Sequence, residues 1–254
     1  MRDGQPSLSA QRVAARRVAF PRAAATFGDP SADDALARDV AGGGLASSGG
    51  LIEQYLRART SFFDRVMVDA IDRGVSQIVL LGAGYDGRSL RYRREGVSWW
   101  EIDHPVTQAD KRARMDRLGL PATGITFVSF DLESPGLATA LVESGFDPDR
   151  SSLQCCEGVA AYLTPDALEC LLTEVRAVAT DGTRIALSLS VTPASEEAAD
   201  RHQDLHGRLA ALGEPIVSSL RAQDAFDLFA RTRWRQVDAT DRSELAGLVV
   251  ARPI

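Results

Sequence analysis

An apolar run that ends in a glycine-rich turn limits most strongly how this chain of 254 residues can fold. The run, Gln77–Leu81, has the length of a buried strand, and the turn Gly82–Gly87 (Gly-Ala-Gly-Tyr-Asp-Gly) follows it directly. Glycines at such a place allow the tight backbone turn that leads from a parallel strand into a helix. The motif therefore indicates an α/β fold.

Strand and helix patterns alternate along the chain after residue 50, and this order is typical of a parallel, doubly wound, Rossmann-like sheet. Seven strands are predicted, at Gln77–Leu81, Trp99–Ile102, Ile125–Phe130, Leu153–Cys156, Arg184–Val191, Trp234–Val237 and Leu245–Ala251. Helices are predicted at Leu51–Arg73, Pro105–Leu118, Thr164–Thr180, Ala194–Leu212 and Ala222–Arg231.

The first fifty residues differ in pattern from the rest. We predict an N-terminal helical and lid segment, residues 1–50, followed by the main domain, residues 51–254. Ser9–Phe20 has helical spacing, and Pro30 interrupts the helical pattern further on. Gly42–Gly50 consists largely of glycine and serine, which predicts a mobile loop. We take it as a candidate lid that orders when a ligand binds.

The composition excludes several classes of protein. The formal net charge of −6 argues against a broad nucleic-acid-binding surface. No apolar run approaches the roughly 18 residues that a membrane-spanning helix needs, and the first twenty residues lack the apolar core of a secretory signal. We therefore expect a cytoplasmic protein with no nucleic-acid partner and no membrane partner. The sequence leaves a homodimer open.

Lysine and cysteine are both rare in this chain. Of 29 basic residues only Lys111 is a lysine, so the other 28 are arginines. The three cysteines, Cys155, Cys156 and Cys170, lack the paired spacing of a zinc site. We predict reduced thiols and no metal centre.

Acidic residues follow three of the predicted strands at their carboxyl ends. Asp103 ends the second strand, Asp131 follows the third and Glu157 follows the fourth. Open α/β sheets bind ligands at this edge, and an acid about 20 positions after the glycine turn can accept hydrogen bonds from ribose hydroxyls. The pattern indicates a cofactor that contains adenosine. By itself it does not separate NAD from S-adenosylmethionine.

The order of several short motifs resembles the leucine carboxyl methyltransferase family over roughly residues 9–254. This resemblance implies a class I methyltransferase sheet of seven mostly parallel strands and S-adenosyl-L-methionine as the cofactor. The motifs are Arg57-Ala58-Arg59, Leu81–Arg88 with Arg91, Asp103-His104-Pro105 with Thr107-Gln108 and Lys111, Asp131-Leu132, Glu157-Gly158 with Tyr162-Leu163, and Leu212-Gly213-Glu214-Pro215.

The resemblance implies specific roles around the glycine turn. Arg59 would pair with the methionine carboxylate of the cofactor, a geometry that a guanidinium serves well. Gly82, Ala83 and Gly84 would form the turn that passes the methionine and ribose portion. Asp103 would hold the ribose hydroxyls.

Further roles follow from the later motifs. Asp131 and Leu132 would contact the adenine, and Glu157 would face the amino end of the cofactor. Arg88 and Arg91 would be structural residues that pair with acids. All five roles are implied by the family and not by spacing alone.

The implied reaction is O-methylation of a carboxylate or hydroxyl of a small metabolite, of the kind that occurs in secondary metabolism. An ionised carboxylate needs no general base, whereas a hydroxyl would benefit from one. Weak candidates for such a base are Tyr162, His202 and His206, and the two histidines are four apart on one helix face. No third ligand accompanies the histidines, so a metal site is not predicted.

The sequence departs from the family pattern in three places, one of which is a segment after the fifth strand that is shorter than in many relatives. Gly87 stands where family members commonly carry threonine. Val159, Ala160 and Ala161 stand where bulkier apolar residues are usual. These departures bear on the acceptor more than on the cofactor.

Two other functions stay open. One is a methyltransferase-fold protein that binds the cofactor without transferring a methyl group. The other is an NAD(P)-dependent oxidoreductase, whose short-chain form requires a Tyr-x-x-x-Lys pair. Thr107 stands four positions before Lys111, so that pair is absent.

Overall fold

The computed structural model describes residues 4–42, 50–192, 207, 216–239 and 247–254. The chain divides into two compact units, Met1–Asp131 and Leu132–Ile254. Most of the candidate lid Gly42–Gly50 and of the predicted helix Ala194–Leu212 lies outside the described residues. The predicted segment of residues 1–50 falls in the first unit, and its boundary stays a prediction.

The first unit contains five helices and three strands within its described part. In chain order they are α1 (Leu8–Arg17), α2 (Pro30–Ala41), α3 (Gly50–Asp72), β1 (Gln77–Leu81), α4 (Arg88–Arg91), β2 (Ser98–Asp103), α5 (Pro105–Arg117) and β3 (Ile125–Ser129).

The three strands of the first unit are parallel and lie in the order β3-β2-β1. Every residue of β1 is buried, as expected for a strand with helices on both faces. Leu81 pairs with Ile102, and Asp103 pairs with Ser129. The carboxyl ends of the three strands therefore lie at one edge.

Side-chain caps fix where the N-terminal helices begin. The Ser7 hydroxyl accepts a hydrogen bond from Ala10 N (3.2 Å) at the start of α1. The Asp29 carboxylate accepts one from Ser31 N (3.0 Å), and Pro30 is the first residue of α2. Proline suits this position because its missing N–H would have no partner in the first turn anyway. Pro30 thus begins a helix that the sequence reading did not predict.

The second unit adds four strands and three α-helices within its described part. In chain order its elements are α6 (Leu137–Glu143), β4 (Leu153–Cys156), a 3₁₀ turn (Ala160–Tyr162), α7 (Pro165–Ala177), β5 (Arg184–Ser188), α8 (Ala222–Arg231), β6 (Trp234–Ala239) and β7 (Leu248–Pro253).

The strands of the second unit lie in the order β4-β5-β7-β6. β4 and β5 are parallel, whereas β7 is antiparallel to both β5 and β6. The predicted fold class, an α/β protein with a seven-stranded and mostly parallel sheet, is confirmed. Among the described helices, none has both the length and the apolar character needed to cross a membrane.

Two details of the second unit differ from the prediction. β5 ends at Ser188, and Val191, which was predicted to continue it, forms only an isolated bridge with Leu220. The short helix α6 was not predicted. Its first amides, from Gly136 and Ala138, donate to the carboxylate of Glu174 at 3.1 and 2.9 Å. A distant side chain thus satisfies the amides that a local cap would otherwise bind.

Candidate cofactor-binding site

The glycine turn after β1 has the backbone conformation that its sequence predicts. Gly82 and Gly84 have φ values of 70° and 50°, in the left-handed region that side chains disfavour. The amides of Gly82 and Ala83 both donate to the carbonyl of Ile102, at 2.9 and 3.0 Å. The turn is therefore attached to β2 by main-chain hydrogen bonds.

Asp103, the last residue of β2, lies directly beside this turn. One carboxylate oxygen accepts a hydrogen bond from Gly84 N, and the other accepts one from His104 N at 2.7 Å. Burial raises the pKa of Asp103 above its ordinary value, while these two amide hydrogen bonds act in the opposite direction. A carboxylate offers about four acceptor positions, so hydroxyl donors can still bind it. The geometry suits recognition of a ribose diol.

The end of β3 lies next to Asp103. Phe130 N donates to the Asp103 carbonyl at 2.9 Å, and the exposed Asp131 follows it. The structure thus brings Gly84 into direct contact with Asp103 and attaches Gly82 and Ala83 to the preceding residue of β2, Ile102. Asp131 comes one residue after Phe130, which is hydrogen-bonded to Asp103.

Arg59 lies on α3 and is largely buried. Its guanidinium stands 5.5 Å from the ring centroid of Tyr55, a cation–π contact. A guanidinium is a planar fork that can bind a carboxylate through two parallel hydrogen bonds.

Helix α1 lies against the glycine turn. A Cβ built on Gly84 would stand 2.8 Å from the Cβ of Ala10. Ser7 N also donates to the Thr107 hydroxyl at 3.1 Å, which attaches the start of α1 to α5. Position 84 therefore requires glycine for two reasons: its backbone is left-handed, and a side chain there would clash with Ala10 of α1.

Gly87 leaves room for a carboxylate from α2. A Cβ built on Gly87 would stand 2.0 Å from Asp33 Oδ1. Asp33 is buried and accepts hydrogen bonds from Arg22 Nη1 (2.8 Å) and from Arg91 Nε. This packing gives a physical reason for glycine at the position where the family commonly has threonine.

A buried ionic network anchors α4 below the turn. Arg88 donates to Asp64 Oδ1 and to Asp86 Oδ2, each at 2.6 Å, and Arg22 donates to Asp64 Oδ2 at 2.7 Å. Burial acts to raise the pKa of Asp64, but Arg88 and Arg22 outweigh it and hold that pKa well below its usual range. The predicted structural pairing of Arg88 with acids is confirmed.

Arg91 joins the same network through α2, donating to Asp33 and Asp34. Its predicted pairing is also confirmed. Sequence reasoning did not identify the acidic partners. Asp64 lies among buried residues of α3 such as Phe63 and Met67. A charge on an apolar helix face is the signal that could have found it.

In the second unit, Glu157 comes directly after β4. The next amide, Gly158 N, donates to the Ser188 hydroxyl at 2.7 Å, and Gly158 has a φ of 69°. Glu157, Leu132 and Tyr162 are all half-buried. Tyr162 ends the 3₁₀ turn.

The other candidate residues are the two histidines, possible metal ligands and the cysteines. His202 and His206 lie outside the described residues. No group of three or more possible metal ligands occurs in the described part of the chain. Cys155 and Cys156 are buried thiols outside any disulfide, and burial raises the pKa of Cys156 to about 12, so its thiol stays protonated at neutral pH.

Curated relatives and solved structures resemble this chain. A "Putative S-adenosyl-L-methionine-dependent methyltransferase" of Mycolicibacterium gilvum is 36% identical over 150 residues, which is 58% of this chain and 48% of that protein. The chain spans about half the length of the curated relatives it matches.

Among solved structures, a "putative methyltransferase" from Thermobifida fusca has a TM-score of 0.63 at 15% identity, covering 99% of this chain and 96% of that chain. Magnesium protoporphyrin IX methyltransferase from Synechocystis, solved with bound S-adenosylhomocysteine, has a TM-score of 0.55 at 12% identity, covering 86% and 93%. At these identities the likeness shows a shared fold.

The family model gives the most direct assignment. The model described as leucine carboxyl methyltransferase matches residues 11–176. This range includes the glycine turn, Asp103 and the buried arginines described above. The chain belongs to the leucine carboxyl methyltransferase family.

Proposed function

We propose that this chain is an S-adenosylmethionine-dependent methyltransferase that methylates an oxygen atom of a small carboxylic or hydroxylated metabolite. The observation that carries the proposal is the contact between the glycine turn and Asp103. It places a carboxylate with spare acceptor capacity beside a turn that a cofactor backbone can approach closely. The family and the names of the curated relatives support the same cofactor.

The first unit supplies most of the proposed cofactor contacts. Asp103 accepts hydrogen bonds from the ribose hydroxyls, and the backbone of Gly82–Gly84 lies beside the ribose and methionine. Arg59 pairs with the methionine carboxylate, since a guanidinium binds a carboxylate through two parallel hydrogen bonds. Asp131 accepts a hydrogen bond from the adenine amino group.

In the second unit, the family resemblance assigns Leu132 to the adenine ring and Glu157 to the amino end of the cofactor. These two assignments rest on the resemblance alone. Tyr162 as a base is a proposal from the chemistry of its side chain, as are His202 and His206. The cytoplasmic location, the homodimer and a place in secondary metabolism are likewise proposals from the sequence.

The proposed reaction requires few chemically active side chains. When bound, the cofactor would supply an electrophilic methyl group for transfer to an acceptor oxygen. The protein orients the two partners in line and excludes water. A carboxylate acceptor is already ionised at pH 7, so no proton has to move. A hydroxyl acceptor would pass its proton to a base such as Tyr162 or to solvent.

Isothermal titration tests the cofactor. We expect S-adenosylmethionine and S-adenosylhomocysteine to bind the wild type and NADH not to bind. Asp103→Ala should weaken that binding at least tenfold, equivalent to about 1.4 kcal/mol, because the ribose loses its acceptor. Arg117→Met, a change on the exposed side of α5, is the control and should bind normally.

A second assay tests the reaction. A panel of small carboxylic acids and phenols is incubated with cofactor that carries a labelled methyl group, and label is counted in the extracted product. Transfer to a panel member supports an oxygen acceptor. Cofactor binding without transfer to any acceptor favours the non-transferring alternative, and binding of NADH alone would refute the methyltransferase.

A further inference from the structure

Lys111 lies buried below the glycine turn, where it joins three elements of the first unit. It is on α5 and only 1% of its side chain is exposed. Its Nζ donates to Glu101 Oε2 at 2.5 Å and to the Asp86 carbonyl at 2.6 Å. The Ser89 hydroxyl donates to the other Glu101 oxygen at 2.6 Å. Lys111 therefore connects α5 and β2 to the end of the turn.

The contact with Asp86 acts directly on the shape of the turn. Asp86 N donates to Ala83 O at 2.8 Å, which closes the turn from within. Gly84, in the middle of the same turn, donates its amide to Asp103. Lys111 thus binds the far end of a short segment whose centre contacts the proposed ribose acceptor.

The composition of the chain makes this lysine distinctive. Basic positions are occupied by arginine in every case but this one. An ammonium is a compact group with three donors, whereas a guanidinium is a planar fork that needs more room. At position 111 the donors reach a carboxylate on one strand and a carbonyl in the turn, so the compact group fits the geometry.

Stability alone is a weak reason for this buried pair. Removing two charges from water is costly, and well-packed apolar residues of similar volume are often equally stable or more stable. Glu101 is as buried as Lys111. What an apolar pair could not supply is the hydrogen bond to the Asp86 carbonyl.

We infer that Lys111 is a positioning residue, which holds the turn Gly82–Gly87 in the conformation that binds the cofactor. This inference rests on the proposed function. Lys111 also influences the carboxylate at the other side of the turn. Burial raises the pKa of Asp103, and the charge of Lys111 partly offsets this, which favours the ionised acceptor.

Three variants separate positioning from stability. Lys111→Met removes the ammonium donors and leaves the buried Glu101 carboxylate without its charged partner. Both thermal stability and affinity for S-adenosylhomocysteine should therefore fall. In Lys111→Met with Glu101→Met, an apolar pair replaces the ionic pair, so thermal stability should recover. We expect affinity for S-adenosylhomocysteine to remain about tenfold or more below that of the wild type. Arg117→Met on the same helix is the matched control.

A spectroscopic measurement on the wild type needs no variant. Protein grown with lysine labelled with ¹³C at Cε has one labelled side chain, so the signals of its methylene protons lie at a single ¹³C shift in a ¹H–¹³C spectrum. Saturating S-adenosylhomocysteine should shift that signal, because a ligand bound beside the turn changes the electrostatic surroundings of the contact with Nζ. NADH serves as the control ligand.

The outcomes are distinct. Recovery of affinity together with stability in the double variant, or a lysine signal that S-adenosylhomocysteine leaves unchanged, would overturn the role of Lys111 while the proposed function stands. Failure of the wild type to bind S-adenosylhomocysteine would overturn both. Weak binding by a stable double variant, with a shifted signal in the wild type, supports the positioning role.

Discussion

Replacing Gly87 with alanine tests the packing of α2 against the turn. The backbone φ of Gly87 is −96°, which alanine adopts without strain. Alanine lowers the conformational entropy of the unfolded chain, and this effect alone would raise the free energy of unfolding by about 0.4–1 kcal/mol. Gly87 is also the N-cap of α4, and alanine is a poorer N-cap by a similar amount. These two effects on stability roughly cancel. Whether Gly87→Ala stabilises or destabilises the protein therefore depends on the space around the new Cβ.

That space is already filled. The new methyl would lie 2.0 Å from Oδ1 and 2.8 Å from Cγ of Asp33, so the carboxylate must move. Overpacking costs about 1–3 kcal/mol, and Asp33 would also move away from Arg22 and Arg91. We expect Gly87→Ala to lower the free energy of unfolding by about 2–4 kcal/mol, part of it from the buried ion pairs. Urea denaturation followed by circular dichroism measures this change.

A double-variant cycle identifies the cause. Asp33→Ala removes the carboxylate and should itself be destabilising, but in that background Gly87→Ala should cost almost nothing. The coupling between the two changes should therefore be about 2–4 kcal/mol, far above the few tenths expected for independent sites. Additive costs at Asp33 and Gly87, or a stabilised Gly87→Ala, would refute the reasoning.

Two further predictions concern buried groups. Asp64→Asn should lower the free energy of unfolding by about 3–5 kcal/mol at pH 7, because Arg22 and Arg88 lose their shared carboxylate. The folded pKa of Asp64 lies below its unfolded value of 3.8, so its stabilisation is present above that pH and is lost on acidification. Urea titrations at pH 7 and pH 3 should show a smaller acid loss in the variant than in the wild type, and equal losses would contradict this. Cys156 should resist iodoacetamide at pH 8 while the half-buried Cys170 reacts, as measured by mass spectrometry before and after unfolding.

Most strands could be predicted from the sequence because buried parallel strands appear as short apolar runs. The run before Gly82 is the clearest case, and its observed bounds match the prediction. The helices that were missed have other causes. The prediction treated Pro30 as an interruption, although proline also begins helices. The first amides of α6 bind Glu174, which lies far along the chain and gives no local signal.

The candidate site was predicted in part. The contact between Gly84 and Asp103 follows from the spacing of a glycine turn and an acid at the next strand end. The partners of Arg88 and Arg91 could not be assigned because the chain has 35 acidic residues and pairing depends on tertiary packing. The sequence analysis identified Lys111 as the single lysine and as part of one family motif, but its contact with the Asp86 carbonyl could not be predicted from the residue pattern.

The ionic network also bears on the order in which the chain folds during its synthesis. Arg17 forms an ion pair with Asp86 at 3.3 Å, and α2 depends on Arg91. Isolated helices of the length of α1 and α2 are marginal in water. At about 5–20 residues per second, roughly 4–15 s pass between synthesis of Arg17 and of its partner. Through that interval α1 lacks Asp86, and α2 has Arg22 for Asp33 but lacks Arg91. Both helices therefore complete their packing only after the ribosome has delivered the strand and turn that follow.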